Sequence, residues 1–530
     1  MVRMAFRVLA LVTAVAVAGV AGEWSQWRGP GRNGQTPGGP SLATSWPKAG
    51  PPVVWQSETL PAHSAGGFGC VSVTGTTGKL CVYINWKYQE PITTRTLSDG
   101  EFRGRLGGFT ATMPADVTTK LEEARQSEER VALKGGKPLD EWVAAWVKAN
   151  VPAADLKKLG PIVGDRLKRG KGALPLPLLA KLETVKDKPF PTPEDLEKWL
   201  ADNQIEGELK KVILAAIPTT VKKAHDVIVA LDAATGQKLW EKKYPGLPHD
   251  WPASCTPAIA DGKVYVLGSD GDLYCLSLDK GEEVWKAKPG KGCVNSSPLV
   301  HDGMVIVAAG AITALDAATG QVKWTQPKVK TIENSPVLWK AGDKTYLVCN
   351  TGGTVACLDA KDGQVAWTAP GGGRSTAVID GEWMAINSGK KETGLIVYKI
   401  TTQKAEKATT APFEDQDSSP VIHQGHVYGI GQQMVCANLE SGKTVWFDPK
   451  GTGSSSSAVM VNGKLLAVGK NTITLINPTP EKLDVLTKAN VGAIEFTSPA
   501  IVDGRLYLRT AKGVTCFDLT AAAAATQEAK

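Results

Sequence analysis

Several signatures are missing from this 530-residue chain, and each absence removes a class of function. Beyond residue 22 no apolar run approaches the roughly 20 residues that a spanning helix needs, so no transmembrane segment is expected in the mature chain. No Cys-x-x-Cys-His is present, which excludes covalently attached c-type haem, and no spacing of Cys and His suits zinc. No Ser/His/Asp arrangement is readable. The net charge is +7, but Arg3 and Arg7 lie in a segment expected to be removed. With no basic stripe interleaved with aromatics, nucleic acid is not an expected partner. What the chain has in quantity is 56 Gly and 16 Trp. Frequent turns with regular large aromatics, in a chain longer than one core usually supports, point to an all-β repeat architecture.

Arg3 and Arg7 precede an apolar run from Val8 to Val20, which ends in the small residues Ala21 and Gly22. This is the layout of a signal peptide; the alternative, a membrane anchor, would need a longer run. The first cysteine is Cys70, so no lipid-attachment site stands at the exit. The mature protein is expected to be exported to the periplasm or cell envelope.

One pattern recurs: a small residue, a spacer, Asp, three residues, Gly, three residues, Trp. It reads Ala230, Asp232, Gly236, Trp240, then Ala314, Asp316, Gly320, Trp324, then Cys357, Asp359, Gly363, Trp367. Weaker copies are Cys275, Ser277, Gly281, Trp285 and Cys436, Asn438, Gly442, Trp446. A second marker, Ser or Thr followed by Pro or Ala, recurs at Pro257, Pro298, Pro336, Ala377, Pro420, Ala458 and Pro499, in steps of 41, 38, 41, 43, 38 and 41. That is the period of a four-stranded propeller blade. Between markers, short alternating runs end at turns such as Asp261-Gly262, Asp270-Gly271 and Lys280-Gly281, so each unit reads as a meander of strands A to D. The expected fold is therefore all-β, an eight-bladed β-propeller. Its last blade stops after three strands at Leu519. The N-terminal strand Val53–Gln56 resembles the strand around Leu239–Glu241 and is expected to complete blade 8 and close the ring.

Blade 1 is interrupted. Cys70–Val73 and Lys79–Lys87 are read as its strands A and B, Asp226–Asp232 and Lys238–Lys242 as C and D. Between them lies a mainly helical insertion, residues 89–225. Helical periodicity covers Leu139–Asn150, Glu194–Asn203 and Ile205–Ile217, the second opened by Thr192-Pro193; Gly135-Gly136 and Pro175-Leu176-Pro177 are turn signals. The stretch Lys157–Lys171 carries six basic residues, read as a solvated face, with contact to an anionic surface as the alternative. The expected organisation is a signal peptide over 1–22, the closing strand and first half of blade 1 over 23–88, the insertion over 89–225, the remaining propeller over 226–519 and a disordered tail over 520–530.

Cys275, Cys357, Cys436 and Cys516 occupy equivalent strand-C positions in alternate blades, too far apart for disulfides, and are read as small apolar core residues. Cys70, Cys81, Cys255, Cys293 and Cys349 leave room for one pair.

The Ala-x-Asp-x-x-x-Gly-x-x-x-Trp unit resembles the PQQ-like (also WD40-like) repeat of the PQQ-repeat family. That family includes the quinoprotein alcohol dehydrogenases and the propeller subunit of the outer-membrane protein assembly machine. The resemblance covers nearly all of the mature chain except the insertion. It implies that Trp240, Trp285, Trp324, Trp367 and Trp446 dock neighbouring blades; the repeat Trp is missing from blades 5, 7 and 8. The stretch Trp24-Ser25-Gln26-Trp27-Arg28-Gly29-Pro30 also looks like exported members of this family. The quinoprotein enzymes hold PQQ against a disulfide of adjacent cysteines, with Ca²⁺ on Glu, Asn and Asp; this chain has no Cys-Cys pair.

A site is expected where strand A begins, around the central opening. Residues there include Ser254, Cys255, Asn295, Ser296, Glu333, Asn334, Arg374, Asp417, Ser418, Ser455, Ser456 and Glu495. Of these, Asn295, Glu333, Asn334, Arg374, Asp417, Ser418 and Glu495 are candidate ligand-binding residues, with the carboxylates and Asn334 as oxygen donors and Arg374 as an anion clamp. The competing reading is that strand-A starts are polar only because they are solvated. The insertion replaces a B–C turn and is expected on the same face. His63 and His249 are read as structural, Ser455–Ser457 as a connecting loop, and Asp270-Gly271-Asp272 as a hairpin turn. No catalytic or metal residue is assigned. The expected function is binding or scaffolding in the cell envelope, by a monomer whose partners are envelope proteins or peptides. The alternative is a PQQ- and Ca²⁺-dependent oxidoreductase of alcohols or sugars.

Overall fold

The computed structural model describes residues 23–36, 38–47, 49–60, 71–74 (backbone only), 78–248, 255–291, 295–331, 333–494 and 496–521. The expected signal peptide, His63, Cys70, His249, Ser254, Cys293, Glu495 and residues 522–530 lie outside them. The chain divides into two compact units, residues 89–222 and the remainder.

The larger unit holds eight four-stranded antiparallel sheets, the architecture of a β-propeller. Sheet 2 shows the pattern: Ala258–Ala260, Lys263–Leu267, Leu273–Ser277 and Glu283–Ala287 pair in chain order. Its first turn puts Asp261 and Gly262 at φ 49° and 68°, the left-handed pair whose twist suits a tight hairpin. Sheet 8 combines Ala500–Val502, Arg505–Thr510 and Gly513–Asp518 with Val53–Gln56 from the other end of the chain. Leu519 is buried, and its N–H and C=O bond Gly504 and Ala43, so the chain stays fixed past the last strand.

Sheet 1 is built from Val71–Thr74, Lys79–Pro91, Thr220–Asp232 and Lys238–Gly246. Its middle strands run past Lys87 and start before Asp226, so residues 220–225 are strand rather than insertion. Cross-strand aromatics extend the pairing: His225 stacks on Tyr88 at 5.0 Å and lies 5.8 Å from Trp86.

The repeat residues build the turns and the outer seams. Asp232 Oδ1 accepts from the N–H groups of Ala234 and Thr235 and from the Thr235 hydroxyl, at 3.0, 2.8 and 2.8 Å. Asp316 and Asn438 repeat this. The following Gly then turns left-handed, with φ 74° at both Gly236 and Gly320. Trp240, Trp285 and Trp324 lie over the turn Gly of the next sheet: a Cβ at Gly281, Gly320 or Gly363 would stand 2.6, 2.7 or 2.5 Å from their respective rings. Trp240, Trp367 and Trp446 donate Nε1–H to the carbonyls of Leu278, Thr401 and Thr479. Trp55 does the same between sheets 8 and 1, over Gly236 and bonded to Ala233 O at 3.0 Å. The Trp thought missing from the last blade is thus supplied by the N-terminal strand. At sheet 5, Thr409 stands over Gly442 instead.

The Ser/Thr markers form an inner seam. Ser297, Ser335, Thr376, Ser419 and Ser457 each accept, through the hydroxyl, the N–H of the marker residue one sheet earlier, at 2.9, 2.9, 3.2, 3.0 and 2.9 Å. Five hydroxyls therefore tie six successive sheets. Between these seams lie apolar clusters in which Cys275, Cys357, Cys436 and Cys516 are buried, free thiols. Desolvation pushes Cys275, Cys357 and Cys516 up to about 12 and Cys436 to about 11, which makes them inert. Cys81 and Cys349 are likewise buried, free thiols, and Cys255 is buried.

The smaller unit is helical. Lys137–Asn150, Pro193–Asp202 and Gly207–Ala216 fall near the periodic stretches, and Thr192 with Asp195 forms a capping box. Asp99–Gly104, Ala115–Ala124, Glu128–Ala132, Leu156–Arg169 and Leu176–Glu183 complete it. Pro175-Leu176-Pro177 is a helix start rather than a turn, since Pro suits a helix's first residues. The basic stretch is not wholly solvated: Arg166 is 2% exposed and ion-paired to Glu122. Among the described residues no helix is long and apolar enough to cross a membrane.

Candidate ligand-binding funnel

The loops leading into strand A converge three of the expected groups. Glu333, Arg374 and Asp417 precede sheets 4, 5 and 6. Arg374 Nε lies 3.2 Å from Glu333 Oε2, and its Nη1 lies 3.8 Å from Asp417 Oδ1. The run Gly371–Gly373 makes this possible. A Cβ at Gly373, which has φ 59°, would stand 2.8 Å from Asn387 O and 3.0 Å from Gln416 O, the carbonyl that fixes Arg374 N–H at 2.7 Å.

Asp417 is pushed up to about 6, first by burial, then by Asp415 and Glu333, with Arg374 opposing. Sequence reasoning missed Asp415, which is 5% exposed. Its carboxylate accepts the N–H groups of Asp417 (2.9 Å), Ser418 (3.1 Å) and Gln432 (2.9 Å) and so shapes the loop. The readable signal was an Asp two residues before a polar pair, the pattern of an Asx turn.

The other candidates are placed differently. Asn334 is buried, with Nδ2 donating to Ser375 O at 2.8 Å and Oδ1 accepting from the Thr331 hydroxyl at 2.9 Å, so its amide serves the loop. Among the described residues the buried Ser418 Oγ and the buried Asn295 Oδ1 have no hydrogen-bond partner. Ser457 belongs to the inner seam. Asp270 and Asp272 pair with Lys288 and Lys286 at 2.5 and 2.9 Å.

The N-terminal segment crosses the ring at this level. Ser25 O accepts Ile259 N–H from sheet 2, and Arg32 donates to Ser297 O and Pro298 O at the start of sheet 3. Arg28 donates to Pro420 O and Gln35 to Ile422 O of sheet 6, while Gly34 and Thr36 bond Met460 of sheet 7. Sheets 2 and 3 stand four places from 6 and 7, so this segment spans the centre.

Fold and repeat chemistry together define a β-propeller with PQQ-type repeats. Residues 224–447 match the model of the family described as outer membrane protein assembly factor BamB. BamB of Yersinia pestis is 20% identical over 298 residues, covering 54% of this chain and 68% of that protein. The quinohemoprotein alcohol dehydrogenase of Comamonas testosteroni is 32% identical over 124 residues, 20% of this chain and 17% of that one. Among solved structures, BamB from Moraxella catarrhalis aligns with a TM-score of 0.45 at 16% identity, over 55% of this chain and 87% of that one.

PQQ with Ca²⁺ does not fit these residues. Glu333 and Asp417 both face the Arg374 guanidinium, a cation where Ca²⁺ would have to sit, the Asn334 amide is committed to Ser375 and Thr331, and the chain offers no adjacent cysteines. Among the described residues no three of His, Cys, Asp and Glu gather as metal ligands.

Proposed function

We propose that the chain is an exported, eight-bladed propeller carrying a helical insertion, and that it serves as a non-catalytic binding or scaffold protein of the cell envelope. The observation that carries this reading is the Glu333–Arg374–Asp417 set. Three charged side chains from three successive sheets answer one another on a partly exposed rim. Such a set can exchange its internal ion pairs for those of a peptide carrying both charges, whereas a metal cation would be repelled by Arg374. The likeness to outer membrane protein assembly factors supports envelope polypeptides as the partner class. The second reading, a PQQ- and Ca²⁺-dependent oxidoreductase, rests on the match to a quinohemoprotein dehydrogenase over a fifth of the chain.

The test pairs two measurements. One is calorimetric titration with PQQ, with and without Ca²⁺, alongside dye reduction with alcohols and sugars. The other places a photo-crosslinking residue at the exposed Gln416 in intact cells. Crosslinks to envelope proteins that Arg374→Ala removes, with no PQQ binding, are expected. Calcium-dependent PQQ binding with dye reduction that Asp417→Ala abolishes would replace this reading with the enzymatic one.

A further inference from the structure

Two arginines of the segment that crosses the ring have no opposing carboxylate among the described residues. Arg28 and Arg32 are each 1% exposed. Their hydrogen bonds go to carbonyls: Arg28 Nη2 to Pro420 O at 2.7 Å, Arg32 Nη1 to Pro298 O at 2.7 Å and Nη2 to Ser297 O at 3.1 Å. Both guanidiniums lie against one ring, Trp27, at 5.7 and 6.0 Å from its centroid. Among the described residues neither has a carboxylate partner, and burial alone pulls each down to about 9, which leaves both protonated at neutral pH.

Carbonyl dipoles and one aromatic face do not replace a counter-charge for two desolvated cations. Nor are their donors used up. Arg28 Nε and Nη1 and Arg32 Nε are buried with no acceptor among the described residues. The hydroxyls of Ser296 and Ser418, one and two residues from carbonyls that Arg32 and Arg28 hold, are also buried and have no partner among the described residues. Around the two side chains that share the Trp27 ring, donors therefore outnumber acceptors among the described residues, and the surplus charge has one sign.

We infer that a small inorganic anion of halide size binds beside Arg28 and Arg32 at the ring centre, held by their unpaired N–H groups. Size follows from the frame. Each guanidinium is already pinned to backbone carbonyls of its own side of the ring, so the ligand must fit among fixed donors. A compact sphere accepts from N–H groups on separate side chains without demanding their realignment. The anion would let the N-terminal segment act as an axle, joining sheets 2 and 3 to sheets 6 and 7 through charge as well as hydrogen bonds.

Equilibrium unfolding of the full chain tests this without a variant that could fail to fold. At constant ionic strength, gluconate is replaced stepwise by chloride. One specific site makes the folding constant rise about tenfold for each tenfold increase in chloride above its dissociation constant. Crystals grown in bromide should then show one anomalous peak contacting both guanidiniums. A chloride-independent folding constant, a ring centre without bromide, or the same slope with phosphate in place of chloride would each overturn the assignment.

Discussion

The sheets of the large unit are held by two seams that differ in how much variation they accept. The outer seam lays a Trp over a Gly, and it changes along the chain: Thr409 replaces Trp at sheet 5, and Trp324 packs on Gly363 while its Nε1 finds no acceptor among the described residues. The inner seam is unbroken from sheet 2 to sheet 7, including the steps on either side of sheet 5. Burial explains the contrast. Thr376 and Ser419 are 3% and 2% exposed, so an N–H that loses its hydroxyl there has no water to turn to. Trp285 and Trp324 are only partly buried, and a smaller residue at such a site forfeits packing without stranding a donor.

Removing one member of each seam grades the comparison. Trp240→Ala takes away a ring that is 9% exposed and lies over Gly281, and should lower unfolding stability by about 3–5 kcal/mol in denaturant titrations. Trp285→Ala, at a more exposed ring, should cost less; equal losses would mean that burial does not rank the outer seam. At the inner seam, Ser419→Ala strands the Thr376 N–H and should cost about 1–3 kcal/mol, while Ser419→Thr should restore most of it. A silent Ser419→Ala would show that the hydroxyl chain is incidental to ring stability.

The two seams were also unequally legible. The Trp–Gly spacing and the Ser/Thr markers stood out in the sequence because each recurs at the blade period, and the marker's role follows once strand A is placed at the inner edge. Val53–Gln56 could be matched to sheet 8 because one strand was lacking there. What repeats do not report was lost. Arg28 and Arg32 occur once, outside any blade, and their burial depends on carbonyls some 270 to 390 residues away in the chain. Asp415 was passed over for its neighbour Asp417, because spacing cannot tell a carboxylate aimed at its own loop from one aimed outward. The strands of sheet 1 run past the residues read as their ends because the change of composition between Tyr88 and His225 does not mark where pairing stops; the two side chains stack across the extended pair.

The smallest expected effect bears on the residue where inner seam and candidate site meet. Asp417 lies two positions before Ser419, and its carboxyl titrates at about 6 against an ordinary value of 3.8. Between those values the folded chain holds a proton that the unfolded chain has released, so stability falls as pH rises across that window. The cost of Asp417 is absent below about pH 4 and complete above about pH 6. Two units correspond to about 3 kcal/mol, and a side chain 28% exposed reduces this to roughly 1–2 kcal/mol. Asp417→Asn should therefore stabilise the protein by that amount at about pH 7.5 and leave it unchanged near pH 4, even though the contact with Arg374 is lost. Stabilisation at neutral pH with weaker crosslinking from Gln416 would mark Asp417 as a charge kept for binding at the expense of the ring. A loss of stability at neutral pH would instead place the Arg374 pair among the contacts that hold the ring together.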